Sequence, residues 1–286
     1  MKVQHFFHDK TSTLTYVVWD EATRDAVVID PVLDFDDAAV SFSERAVDEV
    51  VGVVQAEGLR VHWVLDTHAH ADHVTGASAL ALRLGAKTAM GSRITEVQAF
   101  FTPVFGLEDV VEPDGSQWDA LVPDGGELVA GSLRLRALHT PGHTPACTTW
   151  QLEDAVFTGD TMFMPDFGTG RCDFPNGSAS DLYDSIHERL YALPDATRVF
   201  VGHDYQPGGR ALAFETTIGA CKESNKQLRA TTPRADFVKW RAERDAQLAP
   251  PRLLFQSIQL NIDAGRLPAL DDKGRRFLKI PVGVLE

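Results

Sequence analysis

The segment of residues 67–73, which reads THAHADH, constrains this chain more than any other feature of its sequence. It follows the apolar stretch of residues 61–65, which has the length and composition of a buried strand. One loop therefore carries three imidazoles and a carboxylate, those of His68, His70, Asp72 and His73. A lone histidine in a polar loop is usually solvated, but several such groups together are what a metal ion binds. We therefore predict a metal site at the C-terminal end of this strand.

Three more candidate ligands follow other apolar stretches further along the chain. His143 comes after Thr-Pro-Gly, Asp160 follows Thr-Gly, and His203 lies in the sequence Val-Gly-His-Asp. Each has an ordinary alternative role, as a turn histidine, a helix N-cap or a surface histidine. Because strands that pack side by side bring their ends to one edge, we predict that these side chains share one site with residues 67–73.

The composition excludes several other classes of protein. The chain has 286 residues, of which 44% are hydrophobic and 24% charged, which is enough apolar surface for a folded domain. Its formal charge of −14 offers no basic stripe for phosphates, so we expect no nucleic-acid partner. No stretch approaches the roughly 18 apolar residues of a membrane span, and the N-terminus lacks the apolar core of a signal peptide. We therefore expect a cytoplasmic protein that does not associate with a membrane.

The cysteines are Cys147, Cys172 and Cys221. An odd and sparse set argues against a disulfide framework and suits a reducing compartment. Cys147 and Cys221 are interpreted as structural. Cys172 either exchanges with a thiol substrate or packs as a small apolar residue, and we favour packing.

The alternation of strand-like and helix-like stretches predicts two sheets with helices outside them. Residues 43–58 carry apolar side chains at helical spacing and end at a glycine that suits a helix C-cap. Residues 100–126 are rich in proline, glycine and acidic residues, which predicts a loop. Residues from about 211 onward are predicted to be mainly helical, then loop. The other predicted elements are strands at 11–19, 25–29, 61–65, 87–90, 133–138, 148–152, 155–158 and 198–201, and helices at 77–84 and 178–193.

The order HxHxDH, then a TPGHT turn, then TGD and GHD resembles the metallo-β-lactamase fold superfamily over about residues 6–205. The resemblance implies an α+β fold, an αββα sandwich of two mixed β-sheets flanked by helices, with the metal at one edge. We expect a single domain over residues 1–286, with a C-terminal helical and loop extension from about residue 211. In two-metal members, positions matching His68, His70 and His143 hold one ion, those matching Asp72, His73 and His203 hold the other, and that matching Asp160 bridges them.

A closer resemblance is to the persulfide dioxygenases of this fold, carried by residues 158–174, 202–205 and 261–268 and above all by the Arg-x-Asp-Phe sequence of residues 171–174. This family implies one Fe(II) per chain, held by His68, His143 and Asp160, which would be the catalytic residues. It implies oxidation of glutathione persulfide with O2 and water to sulfite and glutathione, in a homo-oligomer such as a dimer. The remaining candidates, His70, Asp72, His73 and His203, would then lie behind those ligands or form an unused second metal site.

Ligand spacing does not separate this activity from a zinc-dependent thioester hydrolase of the glyoxalase II type (hydroxyacylglutathione hydrolase). That reaction needs only a metal-bound water of lowered pKa. Two histidines and one carboxylate leave up to three coordination positions open, as in non-haem Fe(II) oxygenases, which favours the dioxygenase. The diiron flavoprotein type of this fold resembles HxExD at the first loop and so differs at His70. A non-catalytic binding module is the remaining class.

Four residues are candidate substrate contacts, namely Arg171, Tyr205, Lys222 and Arg266. Arg171 either grips a carboxylate of glutathione or forms an ion pair with Asp173 or Asp166 that shapes the loop, and we favour the ion pair. Tyr205 either donates a hydrogen bond in the pocket or packs as an aromatic residue.

Overall fold

Two six-stranded sheets form the framework of the computed structural model, which describes residues 1–283. The first sheet has the order β1-β2-β3-β6-β8-β9 and the second the order β10-β11-β12-β13-β14-β15. In the first sheet the strands are β1 (Lys2–His8), β2 (Thr13–Trp19), β3 (Asp25–Ile29), β6 (Arg60–Leu65), β8 (Lys87–Gly91) and β9 (Ala120–Val122). In the second they are β10 (Glu127–Ala130), β11 (Leu133–His139), β12 (Thr148–Leu152), β13 (Ala155–Phe157), β14 (Arg198–Phe200) and β15 (Glu215–Thr217). A small third sheet has the order β5-β4-β7 and consists of β4 (Val32–Asp36), β5 (Ser41–Ser43) and β7 (Val74–Thr75).

The helices flank these sheets, and both large sheets are mixed. The helices are α1 (Arg45–Ala56), α2 (Ala77–Leu84), α3 (Ile94–Phe105), α4 (Ala179–Asp184), α5 (Ile218–Ser224), α6 (Arg234–Asp245) and α7 (Leu254–Asn261). In the first sheet β3, β6, β8 and β9 pair in parallel, and in the second only the β13–β14 pair is parallel. The predicted αββα sandwich of two mixed sheets is confirmed.

The two faces of β2 explain why this sheet is buried on both sides. Leu14, Tyr16 and Val18 pack into the core between the two sheets. Val17 and Trp19 point the other way and pack beneath α1 and α2. Because successive side chains of a strand alternate in direction, an almost continuously apolar strand must be covered on both faces.

The predicted helix at 43–58 is present as α1, which buries its valine stripe against the first sheet. Gly58 follows the helix with a φ of +61°, and its N–H donates to the carbonyl of Gln55. This left-handed residue ends the helix as the sequence indicated.

The prediction of a loop over residues 100–126 is wrong at both of its ends. The second half of α3 enters this range, and its apolar residues Ile94, Val97, Phe101 and Phe105 form a buried stripe in a third apolar cluster. Pro103 lies in the last turn, where that packing outweighs one lost backbone hydrogen bond. The short strand β9 then pairs in parallel with β8.

Two other regions differ in detail from their predictions. The helix predicted at 178–193 begins with the side chain of Ser178 accepting a hydrogen bond from the Asp181 N–H, and it changes at residue 185 to a π-helical turn over Ser185–Leu190. The segment after residue 211 first supplies the edge strand β15 and then the helices α5 to α7. A single domain over the whole chain stays a prediction.

None of the helices in residues 1–283 is both long enough and apolar enough to cross a membrane. The cytoplasmic location and the dimeric state stay predictions.

Candidate metal centre

The candidate ligands converge at one edge of the sandwich, where β6, β11, β13 and β14 end. Ligand atoms of His68, His143 and Asp160 all lie within 4.8 Å of one another, and those residues are buried. Ligand atoms of His70, Asp72 and His73 form a second such group. The two groups are joined by His203, whose Nε2 lies 3.3 Å from Asp160 Oδ1 and 3.5 Å from Asp72 Oδ2. The structure therefore brings all seven predicted residues together.

Four buried polar atoms of this cluster lack a hydrogen-bond partner within the described part of the chain. They are His68 Nε2, His70 Nδ1, His73 Nε2 and Asp160 Oδ1. Leaving such atoms unsatisfied costs about 1–3 kcal/mol each, so native proteins rarely do so without a reason. Neutral imidazole nitrogens and a carboxylate oxygen are the donors of a transition metal, and these residues fit one.

In His68, His70 and His143, the ring nitrogen that faces away from the site has a hydrogen-bond partner, and this fixes which nitrogen faces the site. His143 Nδ1 donates to the backbone carbonyl of Arg171 at 2.7 Å, which leaves Nε2 as an acceptor. His70 is oriented the other way round, because its Nε2 lies 3.2 Å from Asp30 Oδ1 and its Nδ1 is the free atom. Thr67 donates its hydroxyl to Asp30 and so accepts from His68 Nδ1 at 3.0 Å. Such partners set the tautomer and the ring orientation of metal ligands.

The charges in the cluster also suit a cation. Burial lowers the pKa of His68 and of His70 well below the ordinary value, so both rings are neutral at pH 7. Burial opposes ionisation of Asp72, but the neighbouring His203 and His73 rings hold its pKa well below the usual range. Burial likewise opposes protonation of His203, yet the carboxylates of Asp160 and Asp72 raise its pKa. The site thus presents the neutral rings of His68 and His70 beside the ionised carboxylate of Asp72.

Sequence reasoning missed residues that support the ligands from behind. Asp30 follows β3 and is fully enclosed, and it accepts hydrogen bonds from the Thr67 N–H at 2.7 Å and the Thr67 hydroxyl at 2.9 Å. Its position in Val-Ile-Asp-Pro, after an apolar strand, is the same kind of signal that identified Asp160. Thr13 Oγ1 lies 3.3 Å from His73 Nδ1, and nothing in the sequence around Thr13 indicates a role in this site.

A cavity of about 500 Å³ opens beside Asp160. Tyr205 forms part of its wall, and its ring stacks on His203 with centroids 5.5 Å apart and lies 4.7 Å from the ring of Phe167. Two exposed cations, Lys226 and Arg244, also line the cavity. The site therefore has a polar, basic approach from one side.

Arg171 separates this cavity from a second one of about 440 Å³, which opens on His143 and has a mainly apolar lining. Its guanidinium pairs with Asp173, with Nε 2.5 Å from Oδ1, and donates to the carbonyl of Ala249 at 2.8 Å. The favoured interpretation of Arg171 as a loop-shaping ion pair therefore has its partner in Asp173. Asp166 instead pairs with Arg210.

The structure does not bring the other two candidate substrate contacts to either cavity. Lys222 Nζ lies 2.6 Å from Asp195 Oδ1, and Arg266 donates to Asp263 at 2.9 Å and to the Gln117 carbonyl at 2.6 Å. Lys226 and Arg244 line the cavity but were not predicted to do so, because no local sequence pattern distinguishes them from other surface charges.

The three cysteines are free and buried. Burial raises the pKa of Cys147 and of Cys221 to about 12 and raises that of Cys172 as well. A thiol is nucleophilic as the thiolate, so the surroundings of Cys172 favour packing over exchange.

Comparison with known proteins places these features in a wider group. The family model described as "Metallo-beta-lactamase superfamily" matches residues 8–203. The chain is 45% identical to a beta-lactamase hydrolase-like protein of Agrobacterium fabrum over 99% of its own length and 65% of that protein. It is 42% identical to glyoxylase B2 of Dictyostelium discoideum, over 100% of this chain and 98% of the relative.

Two comparisons involve proteins named ETHE1. The chain is 33% identical to the mitochondrial persulfide dioxygenase ETHE1 of Bos taurus, over 71% of this chain and 68% of that protein. The crystal structure of ETHE1 from Myxococcus xanthus superposes with a TM-score of 0.75 and 34% identity, covering 93% of this chain and 100% of that one.

Proposed function

The chain belongs to the metallo-β-lactamase superfamily, and we propose that it is a non-haem Fe(II) persulfide dioxygenase. The reaction converts glutathione persulfide, O2 and water to glutathione, sulfite and two protons. The observation that carries the proposal is the buried group of two histidines and one carboxylate, His68, His143 and Asp160, of which Asp160 lines a cavity with basic side chains. Similarity to the persulfide dioxygenase ETHE1 of Bos taurus and to ETHE1 of Myxococcus xanthus supports it.

In this proposal His68, His143 and Asp160 would hold one Fe(II) ion per chain and leave other positions open to ligands. When bound, Fe(II) supplies the electrons needed to activate O2, which zinc does not. The protein orients the ligands. The Arg171 carbonyl keeps His143 Nε2 directed at the site, and Thr67 does the same for His68.

The cavity beside Asp160 suits a thiol carrier that has two carboxylates. Lys226 and Arg244 supply positive charge on its walls, while Tyr205 and Trp240 supply aromatic surface. Binding of the carrier between these groups would direct its sulfur toward Asp160. Arg171 takes part in this proposal through its ion pair with Asp173, which shapes the wall, and Tyr205 contacts the carrier directly. Lys226 and Arg244 take the places that the sequence suggested for Lys222 and Arg266.

A zinc-dependent thioester hydrolase of the glyoxalase II type is a second candidate, favoured by a separate observation. Ligand atoms of His70, Asp72 and His73 also lie within 4.8 Å of one another, and His203 joins them to Asp160. A two-metal site of this kind can activate a water molecule for hydrolysis. The similarity to glyoxylase B2 points the same way.

The deciding experiment measures O2 uptake and sulfite release with glutathione persulfide, on protein loaded without air with either Fe(II) or Zn(II) and assayed for both metals. We expect O2 uptake and sulfite in equal amounts with the Fe(II) protein and neither product with the Zn(II) protein. Hydrolysis of S-lactoylglutathione by the Zn(II) protein, with no O2 uptake by the Fe(II) protein, would overturn the proposal in favour of the hydrolase.

Two lysines on one short segment provide a matched test of the carrier cavity. Lys226 lines the cavity, whereas Lys222 is paired with Asp195. One charge-assisted contact of about 1 kcal/mol corresponds to a fivefold change in affinity, so Lys226→Met should raise KM for glutathione persulfide about fivefold and leave kcat nearly unchanged. Lys222→Met should alter neither. Equal effects of the two substitutions would show that the carrier does not bind here.

A further inference from the structure

The loop that carries His70 and His73 is attached to helix α7 by the side chain of Asn261. Asn261 donates from Nδ2 to the carbonyl of His70 at 2.7 Å and to that of His73 at 2.8 Å. Its Oδ1 accepts from the Thr75 N–H at 2.9 Å. The residue is only 2% exposed, so water does not compete for these bonds. One amide group therefore connects both ends of the second ligand group.

A second side chain of α7 reinforces this attachment. Ser257 lies one helical turn before Asn261, so both side chains project from the same face of the helix. Its hydroxyl lies 2.8 Å from the Ala71 carbonyl oxygen and 2.7 Å from the Leu253 carbonyl oxygen, so these two acceptors share its single proton. Together the two residues contact the loop backbone at positions 70, 71, 73 and 75.

The loop needs such external partners because it has no regular structure of its own over residues 67–73. Buried backbone carbonyls are costly without hydrogen bonds, and a loop that forms neither helix nor sheet must find them elsewhere. The superfamily match ends at residue 203, well before α7 begins at Leu254. The backbone of the ligand loop is thus completed by a part of the chain outside the region that defines the superfamily.

We infer that Asn261 is a positioning residue for the second ligand group, and that α7 sets how tightly this group holds a metal ion. His70 and His73 have their carbonyls fixed by Asn261, while no side-chain hydrogen bond of Asn261 or Ser257 reaches His68, His143 or Asp160 among the described residues. The inference goes beyond the proposed function, because it concerns the backbone of the site and holds for either reaction.

The test compares three variants of the full-length protein. Asn261→Asp keeps the size of the side chain and its acceptor for the Thr75 N–H but removes both donors. Ser257→Ala removes one weaker contact with the same loop. Ser78→Ala is the matched control, because the Ser78 hydroxyl donates to the Ala264 carbonyl at 2.7 Å and so joins the same extension to α2 without touching the loop.

Two measurements on folded protein distinguish positioning from general stability. The first is amide hydrogen exchange of residues 70–75 in metal-free protein, which Asn261→Asp should accelerate at least tenfold, Ser257→Ala by a smaller factor and Ser78→Ala not at all. The second is anaerobic titration with Co(II), followed by its visible absorption. Loss of supporting contacts around metal ligands typically costs tenfold or more in affinity. We therefore expect Asn261→Asp to weaken the binding of at least one Co(II) equivalent about tenfold, while Ser78→Ala leaves both equivalents unchanged.

Each outcome of this experiment bears on the inference. Unchanged loop exchange in folded Asn261→Asp would overturn it, as would unchanged affinity for both Co(II) equivalents. If only one Co(II) binds, loop exchange decides alone. If Asn261→Asp does not fold, the contrast between Ser257→Ala and Ser78→Ala decides, and equal effects of those two would overturn it. Persulfide is absent from every assay, so failure of the proposed dioxygenase activity would leave these results unaffected.

Discussion

Replacing Gly202 by alanine should disturb the metal centre without altering any ligand. Strands β13 and β14 run in parallel and end side by side, and the Gly202 N–H donates to the Gly159 carbonyl at 3.2 Å. A Cβ at residue 202 would lie 2.9 Å from the Gly159 carbonyl carbon and 3.0 Å from its Cα. The residues that follow these two glycines in the chain are Asp160 and His203, whose side chains approach to 3.3 Å. A methyl group here therefore forces apart the two strand ends that carry these ligands.

The size of the effect follows from the distances. An ordinary carbon contact needs about 3.5 Å, so the strand ends must separate by roughly half an ångström. Overpacking of this kind typically costs about 1–3 kcal/mol in the free energy of unfolding. Displacing two candidate ligands by this distance should also weaken metal binding by about tenfold, in line with the sensitivity of metal sites to their supporting structure.

The assay combines urea unfolding of metal-free protein with metal affinity measured by competition with a chelator. Gly52→Ala is the matched control, because Gly52 is exposed in α1 and its added Cβ would have no neighbour within 4 Å. That substitution should stabilise the fold by about 0.5–1 kcal/mol through helix propensity and leave metal affinity unchanged. Wild-type stability together with wild-type metal affinity in Gly202→Ala would refute the reasoning, since the strand ends would then have room for a side chain.

Three further substitutions test the candidate ligand Asp160, the buried thiol of Cys172 and the buried carboxylate of Asp25. Asp160→Ala should lower metal content and turnover at least a hundredfold, measured by elemental analysis and O2 uptake, and retained turnover would show that Asp160 is not a ligand. Cys172→Ser should keep at least half of the wild-type kcat, because a buried thiol of raised pKa is not a nucleophile; a loss of tenfold or more in kcat with an unchanged fold would contradict this. Hydrogen bonds from His62 and Arg60 hold the pKa of Asp25 below its ordinary value, so its carboxylate stabilises the fold above about pH 4 and loses that effect as the pH falls through the folded-state pKa. Asp25→Asn should therefore lower the free energy of unfolding at pH 7, and its difference from the wild type in urea titrations should shrink below pH 4; a difference independent of pH would refute the role of its charge.

Local sequence was sufficient to identify the candidate ligands and most of the elements around them. The loop of residues 67–73 concentrates its ligands within a few positions, and His143, Asp160 and His203 each follow an apolar strand. Such signals are readable because strands and helices impose short repeats on the sequence, and because adjacent strands bring their ends to one edge. Convergence of the ligands could therefore be predicted without knowing the packing of the sheets.

Tertiary structure alone decided what surrounds the ligands. The Asn261 side chain donates to the carbonyl of His70, although the two residues are 191 positions apart in the chain. No local sequence pattern encodes a contact between residues so far apart. The sequence also does not show that Lys226 lines the cavity while Lys222 pairs with Asp195, because both are lysines on one polar segment and only the fold places one of them beside the cavity. The sequence by itself determined which atoms can bind a metal, because ligand chemistry belongs to individual side chains. The fold determined how those atoms are oriented and what can reach them, because orientation depends on contacts between residues far apart in the chain.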